Sequence, residues 1–161
     1  MKKIKIEIKW AIIFVVMTLI WMVLEKLVGL HDEHIDKHPI YTNFIAIPAI
    51  AIYVFALLDK RKNFYKGAMT YKQGFITGLI ITAIVTVLSP LTQYITSTII
   101  TPEYFPNMIN YSVETGKLTQ EAAEEYFNLK NYLLQVIIGT PLMGILTTAI
   151  VAIFTRKKSA G

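Results

Sequence analysis

Four apolar runs, separated by polar segments of unequal length, organise the chain. The longest, from Phe75 to Ile100, holds twenty-six consecutive residues without a charged side chain. At a rise of about 1.5 Å per residue, a helix of that length more than crosses a hydrocarbon core of about 30 Å. The run is not uniformly apolar. Gly78, Thr82, Thr86, Ser89, Gln93, Thr96 and Ser97 recur at spacings of three and four. On a helix turning about 100° per residue they share one stripe roughly 100° wide, which has to face protein or water. A first span is predicted over residues 9–30, because WAIIFVVMTLIWMVL (Trp10 to Leu24) is followed by more apolar sequence after Glu25 and Lys26. No small-x-small cleavage site follows it, so this span is expected to be uncleaved. Residues 41–58, with Pro48 inside, and residues 132–154 complete the set.

The connections differ in character. Residues 31–40, HDEHIDKHPI, are short and polar, and residues 59–74 are densely basic. Residues 101–131 form a long loop opening with TPEYFPN, where Pro102 and Pro106 predict extended or turn structure. Within it LTQEAAEEYFNLKNY reads as a helix. Thr119 is its expected N-cap, and Glu121, Glu124 and Glu125 in the first turns suit the helix dipole. Ala122, Tyr126, Leu129 and Leu133 give it an apolar face leading into the fourth span. The fold class expected is all-α, an integral-membrane four-helix bundle in one domain over residues 1–161, with a partly helical extracytoplasmic loop between helices 3 and 4.

Composition agrees: 54% of residues are hydrophobic and 17% charged, an apolar excess that a small soluble core would not hide. The absence of cysteine excludes disulfides, thiolate nucleophiles and cysteine-ligated metals. A net charge of +5 does not point to nucleic acid, because the basic residues sit at the ends of the apolar runs. The amino terminus, residues 59–74 and the carboxy-terminal RKKSAG hold twelve of the sixteen Lys and Arg, with Glu7 and Asp59 their only acids. The other segments hold four basic and nine acidic residues. By the positive-inside rule both termini are expected to be cytoplasmic, in a bacterial inner membrane.

Four places are candidates for chemistry. Glu25 lies inside the outer end of the first span, on the face of Ala11, Thr18 and Gly29, and an ionisable group within a span is a functional-site hypothesis. With Ser89, Gln93 and Ser97 it would form a polar or ion site; snorkelling or pairing with Lys26 is the plain alternative. His31, His34 and His38, with Asp32, offer nitrogen and oxygen ligands for a divalent metal. Their spacing matches no established metal signature, and a solvated acidic loop explains the same residues, so no cofactor is expected. Lys60, Arg61, Lys62 and Lys66, interleaved with Phe64, Tyr65 and Tyr71, would contact anionic lipid head groups. Finally, the stripe of Gly78, Thr82 and Thr86 has a counterpart in Thr140, Gly144 and Thr147 on the fourth span and a smaller one in Ala46, Ala49, Tyr53 and Ala56. Such stripes are read as helix-packing seams rather than a pore. A Ser89–Pro90 break in the third span would instead free backbone carbonyls, as in discontinuous transporter helices.

The order of these features resembles the bacterial family of small membrane proteins known as domain of unknown function 4199. The resemblance rests on KGAMTYKQGFITGLI (Lys66 to Ile80), similar to that family's "T/S-[FY]-x-x-[GA]-F-x-x-G" pattern. PEYFPNMI after the third span, the acidic EAAEEYF helix and a fourth span ending in basic residues support it. It implies a bacterial multi-pass membrane protein and brings no activity, cofactor or catalytic residue. HDEHIDKH lies outside the pattern.

The function expected is that of a non-enzymatic accessory component, embedded in the lipid bilayer and presenting its outer loop to another membrane or periplasmic protein or to a second copy of itself. One alternative is a small cation or proton transporter or channel using the stripe and Glu25. The other is a metal-dependent membrane enzyme built on the outer His/Asp/Glu cluster. No P-loop, Rossmann fingerprint or nucleophile elbow is present.

Overall fold

The computed structural model describes residues 4–158. Lys2 and Lys3 of the basic amino terminus and residues 159–161 of the tail lie outside the described residues. The described residues form helices and turns, with no strand. Among them four helices are long and apolar enough to cross a membrane: Lys5–Leu27, His38–Asn63, Tyr71–Ile100 and Leu129–Thr155. The first is α1 (Lys5–Leu27). The second joins α2 (His38–Tyr41), a 3₁₀ turn (Thr42–Ile45) and α3 (Ala46–Asn63). The third joins α4 (Tyr71–Ile95) to a π-helical turn (Thr96–Ile100). Between it and α7 (Leu129–Thr155) lie α5 (Tyr104–Glu114) and α6 (Gln120–Tyr126). Below, the end of the bundle carrying the chain termini is the terminal end, and the other is the loop end.

α4 is the central helix, packed against α1, α3 and most extensively α7. It starts sharply, because Thr70 and Gln73 form a reciprocal capping box (Gln73 N to Thr70 Oγ1 3.2 Å; Thr70 N to Gln73 Oε1 2.8 Å). Its stripe of small residues lets the α7 backbone approach. Gly78 lies against Thr148 and Gly144 against Thr82, while Tyr53 of α3 shares a 2.8 Å hydrogen bond with Thr82. An interhelical bond of that kind contributes about 0.6 kcal/mol on average, so close packing carries most of the seam. Thr148 is fully buried, whereas Thr147 is only half-buried: α7 turns the neighbour of the expected residue to the seam.

No break occurs at Pro90, and the alternative of a discontinuous helix is not formed. Proline removes the amide that would bond Thr86 O, and Ser89 Oγ donates to that carbonyl instead at 2.9 Å. The irregular turn comes later, at 96–100, where Thr101 N bonds Thr96 O at 2.8 Å.

The long loop meets expectation in part. Pro102 and Glu103 form a turn, whereas Pro106 falls in the first turn of α5, where a helix needs no amide donor. The helix expected to lead into the fourth span stops at Tyr126. Asn128 donates to the carbonyls of Glu124 (3.0 Å) and Glu125 (2.6 Å), closing α6, and accepts from Asn131 N (2.9 Å), opening α7. Thr119 caps α6 by accepting from Ala122 N at 3.3 Å. α5 and α6 enclose a small core of Met108, Ala123 and Phe127 that also takes in Ile35 from the turn after α1. This unit is the cap.

At the terminal end the four long helices are fastened together. Lys60 Nζ meets Glu7 at 2.8 Å with both side chains buried. Asp59 accepts from Lys9 and Trp10. Arg61 donates to Thr155 O at 2.8 Å, and a backbone bridge joins Met69 to Lys157.

Candidate functional site

A buried polar cluster and two adjoining cavities lie in the loop half of the bundle. Glu25 sits in the last full turn of α1, on the inward face shared with Ala11, and is buried. Helix α1 ends two residues later. Gly29, at φ +77°, turns the chain in a conformation that suits glycine. The turn brings His31 back beneath the helix end, where it is buried, and Leu30 N bonds Glu25 O at 2.9 Å. A run of turns then delivers His38, the first residue of α2, followed by Pro39 in the first turn.

These three side chains converge. Glu25 Oε2 lies 3.1 Å from His31 Nε2 and 3.5 Å from His38 Nε2, and one ligand atom from each residue lies within 4.8 Å of the other two. Trp21, one turn before Glu25, donates its indole N–H to Oε1. Tyr104 of α5 covers the cluster from the cap. Its ring centroid is 5.2 Å from that of His31 and 5.1 Å from that of His38. Its hydroxyl lies 3.5 Å from His38 Nδ1 and 3.3 Å from the Tyr132 hydroxyl. Burial pushes the Tyr104 phenol well above its usual range, with Tyr132 adding to the shift, so it stays a neutral hydroxyl. Asn107 Nδ2 donates to His31 O at 2.9 Å. His31 Nδ1 is buried and has no hydrogen-bond partner among the described residues.

A cavity of about 140 Å³ adjoins both imidazoles and is lined by Thr42, Gln93, Thr96, Ser97, Thr101, Tyr104 and Tyr132, with Met22 its apolar member. The π-helical turn contributes Thr96 and Ser97, and Gln93 Nε2 donates to Ser97 Oγ at 2.8 Å. A second cavity of about 110 Å³ shares Met22, Gln93 and Thr96. It continues along Ser89, Thr92 and Thr140 towards Phe14 and Val85. Beyond these the α4–α7 seam closes.

The residues singled out in the sequence are therefore sorted by the fold. Glu25 comes together with His31 and His38, while Gln93 and Ser97 line the adjoining cavity and Ser89 the second one. His34 and Asp32 are exposed and are not part of the cluster, with Asp32 Oδ1 accepting from Glu33 N. Lys62 and Lys66 are exposed at the terminal end and Arg61 is half-buried. Lys60 departs from the lipid-contact reading: it is 3% exposed and its ammonium meets Glu7, because α3 turns this position inward. Trp21, Tyr104, Asn107 and Tyr132 were not singled out. Trp21 carries a local signal, four residues before Glu25 on one helix face. Tyr104 and Tyr132 carry none, since chain folding alone brings them near Glu25.

The fold and this centre define an all-helical protein with four candidate membrane spans and a small helical cap over a buried polar cluster. It belongs to the family described as "Protein of unknown function (DUF4199)", whose model matches residues 9–157. No curated protein and no solved structure matches the chain.

Proposed function

We propose that this protein is a multi-pass protein of the bacterial inner membrane that holds one divalent metal ion of the zinc class at its outer end. It would act there as a non-enzymatic accessory component. The carrying observation is the convergence of Glu25, His31 and His38. Zinc bound at about 2.0–2.1 Å by imidazole nitrogen and carboxylate oxygen in a tetrahedron sets ligand atoms about 3.3–3.4 Å apart. The two Glu25–His separations of 3.1 and 3.5 Å bracket that edge. Nitrogen and oxygen donors without thiolate suit zinc and its first-row neighbours better than calcium or magnesium. Trp21 on Glu25 and Tyr104 on His38 supply the outer partners that orient such ligands.

Three protein ligands leave a fourth position, and the adjoining cavity has room for water there. The residues lining that cavity carry hydroxyls and an amide but no carboxylate to serve as a general base, which supports binding rather than hydrolysis. The closed α4–α7 seam favours this reading over a conduit. The basic terminal end supports cytoplasmic termini, which puts the centre and the cap outside. There the cap would meet another membrane or periplasmic protein or a second copy of the chain.

Elemental analysis of protein purified in mild detergent, after equilibration with zinc and removal of excess, tests the reading. One zinc per chain is expected in wild type and in His34→Ala, and none in a His31→Ala/His38→Ala double variant. Folded wild-type protein that takes up no zinc, cobalt or nickel would refute it.

A further inference from the structure

The cap is joined to the bundle in an unusual way. α5 and α6 pack on each other, yet neither packs extensively against any spanning helix. Much of what holds the cap down involves the turn after α1 and the two histidines. Ile35, midway between the two histidines, is buried in the cap core with Met108, Ala123 and Phe127. Asn107 bonds the His31 carbonyl, and Tyr104 lies against both imidazoles. α7 adds Tyr132, against Tyr104, Phe105 and Phe127, and Asn131, whose Nδ2 donates to Tyr126 O at 2.9 Å. Glu25, by contrast, belongs to α1, and His38 opens the second spanning helix.

The ligand set is thus divided between two bodies. Glu25 and His38 ride on spanning helices of the bundle, and His31 rides on a turn whose conformation the cap shares through Ile35 and Asn107. From this we infer that metal occupancy controls docking of the cap, so that the metal level outside is converted into the state of α5 and α6; the inference rests on the metal reading above. An ion bridging the bodies binds the docked form and not the undocked one. By linkage it suppresses undocking by a factor of one plus the ratio of free metal to Kd. At free zinc about one hundred times Kd, undocking falls about 100-fold. Without metal, Glu25 and the two imidazoles still hydrogen-bond, but through single protons that water replaces at little cost. Undocking would expose Ile35, Met108 and Phe127, an apolar face that a partner is able to read only in the metal-free state.

Hydrogen–deuterium exchange of the full-length protein in detergent, with zinc chloride as the probe and magnesium chloride as the control, tests this. Amides of residues 104–126 are expected to exchange up to about 100-fold more slowly in zinc, while those at the middle of α4 stay unchanged and magnesium has no effect. Asn107→Ala removes a tie between the cap and the His31 carbonyl but none of the three ligands or their outer partners. It is expected to retain one zinc per chain and lose most of the zinc-dependent protection, whereas Glu121→Ala, at an exposed position of the cap, keeps it. If zinc binds one to one in wild type and cap exchange is the same with and without it, the inference fails while the metal reading survives. If no zinc binds, both fail.

Discussion

Gly78 of α4 lies so close to Thr148 of α7 that a Cβ at position 78 would sit 2.3 Å from Thr148 Cγ2. The reciprocal contact, Gly144 against Thr82 Cγ2 at 2.4 Å, lies on the same seam. An added methyl group there has to push the two central helices apart. Gly78→Ala is expected to cost about 1–3 kcal/mol, read as a lower midpoint of unfolding in detergent. Gly139 is the control, because a methyl group at that position would meet nothing within 4 Å. Gly139→Ala should be neutral or gain up to about 1 kcal/mol from helix propensity.

The buried pair Glu7–Lys60 ties the start of α1 to the end of α3 at 2.8 Å. Removing one partner leaves the other charge buried and uncompensated. Lys60→Met is expected to destabilise the protein by about 3–5 kcal/mol, and the Glu7→Leu/Lys60→Met double variant to recover most of the loss. Denaturation of the two variants side by side decides it. A single variant as stable as wild type would show that the pair contributes nothing.

Tyr104 has a pH consequence. Its phenol is raised above the ordinary value of 10.0 by burial and by Tyr132. Below about pH 10 the phenol is neutral in both folded and unfolded chains, and its contribution is complete. Above that, the unfolded chain loses the proton first, so stability falls as pH rises, by at most about 1.4 kcal/mol per unit for this group. Cap unfolding followed by exchange between about pH 9 and 12, a range that brackets the ordinary phenol value, should be steeper in wild type than in Tyr104→Phe. Equal slopes would contradict the burial of this hydroxyl.

The two loop-half cavities stop at Phe14 and Val85, before the seam. Proteoliposomes are therefore expected to show proton and potassium flux at background for wild type, Glu25→Gln and Gln93→Leu alike. Wild-type flux above background that Gln93→Leu abolishes would establish a conduit instead.

Topology is testable directly, because the chain has no cysteine. Single cysteines at Lys158 and at Glu121 should react with an impermeant maleimide from opposite sides of the membrane, Glu121→Cys from outside. Labelling of both from one side would overturn the four-span arrangement.

Much of the architecture is written in local pattern. An uncharged run such as Phe75–Ile100 has only one low-energy home, because backbone amides in hydrocarbon must bond within their own helix. The spacing of Gly78 and Thr82 likewise placed them on one face, since helical periodicity is a local property. The details that failed were decided by partners a few residues away: Ser89 repaired the carbonyl that Pro90 leaves free, and Asn128 ended one helix and began another.

The centre itself was legible only in pieces. Glu25 stood out as a charge in a span, and the histidines as candidate ligands, but as separate features and with His34 and Asp32 among them. Sequence determined which side chains are capable of binding an ion. Only the tertiary structure decided which of them meet, because the turn at Gly29 reverses the chain and folds His31 and His38 back against Glu25. Tyr104 reaches them from 66 residues beyond His38, across a distance over which no local pattern carries information.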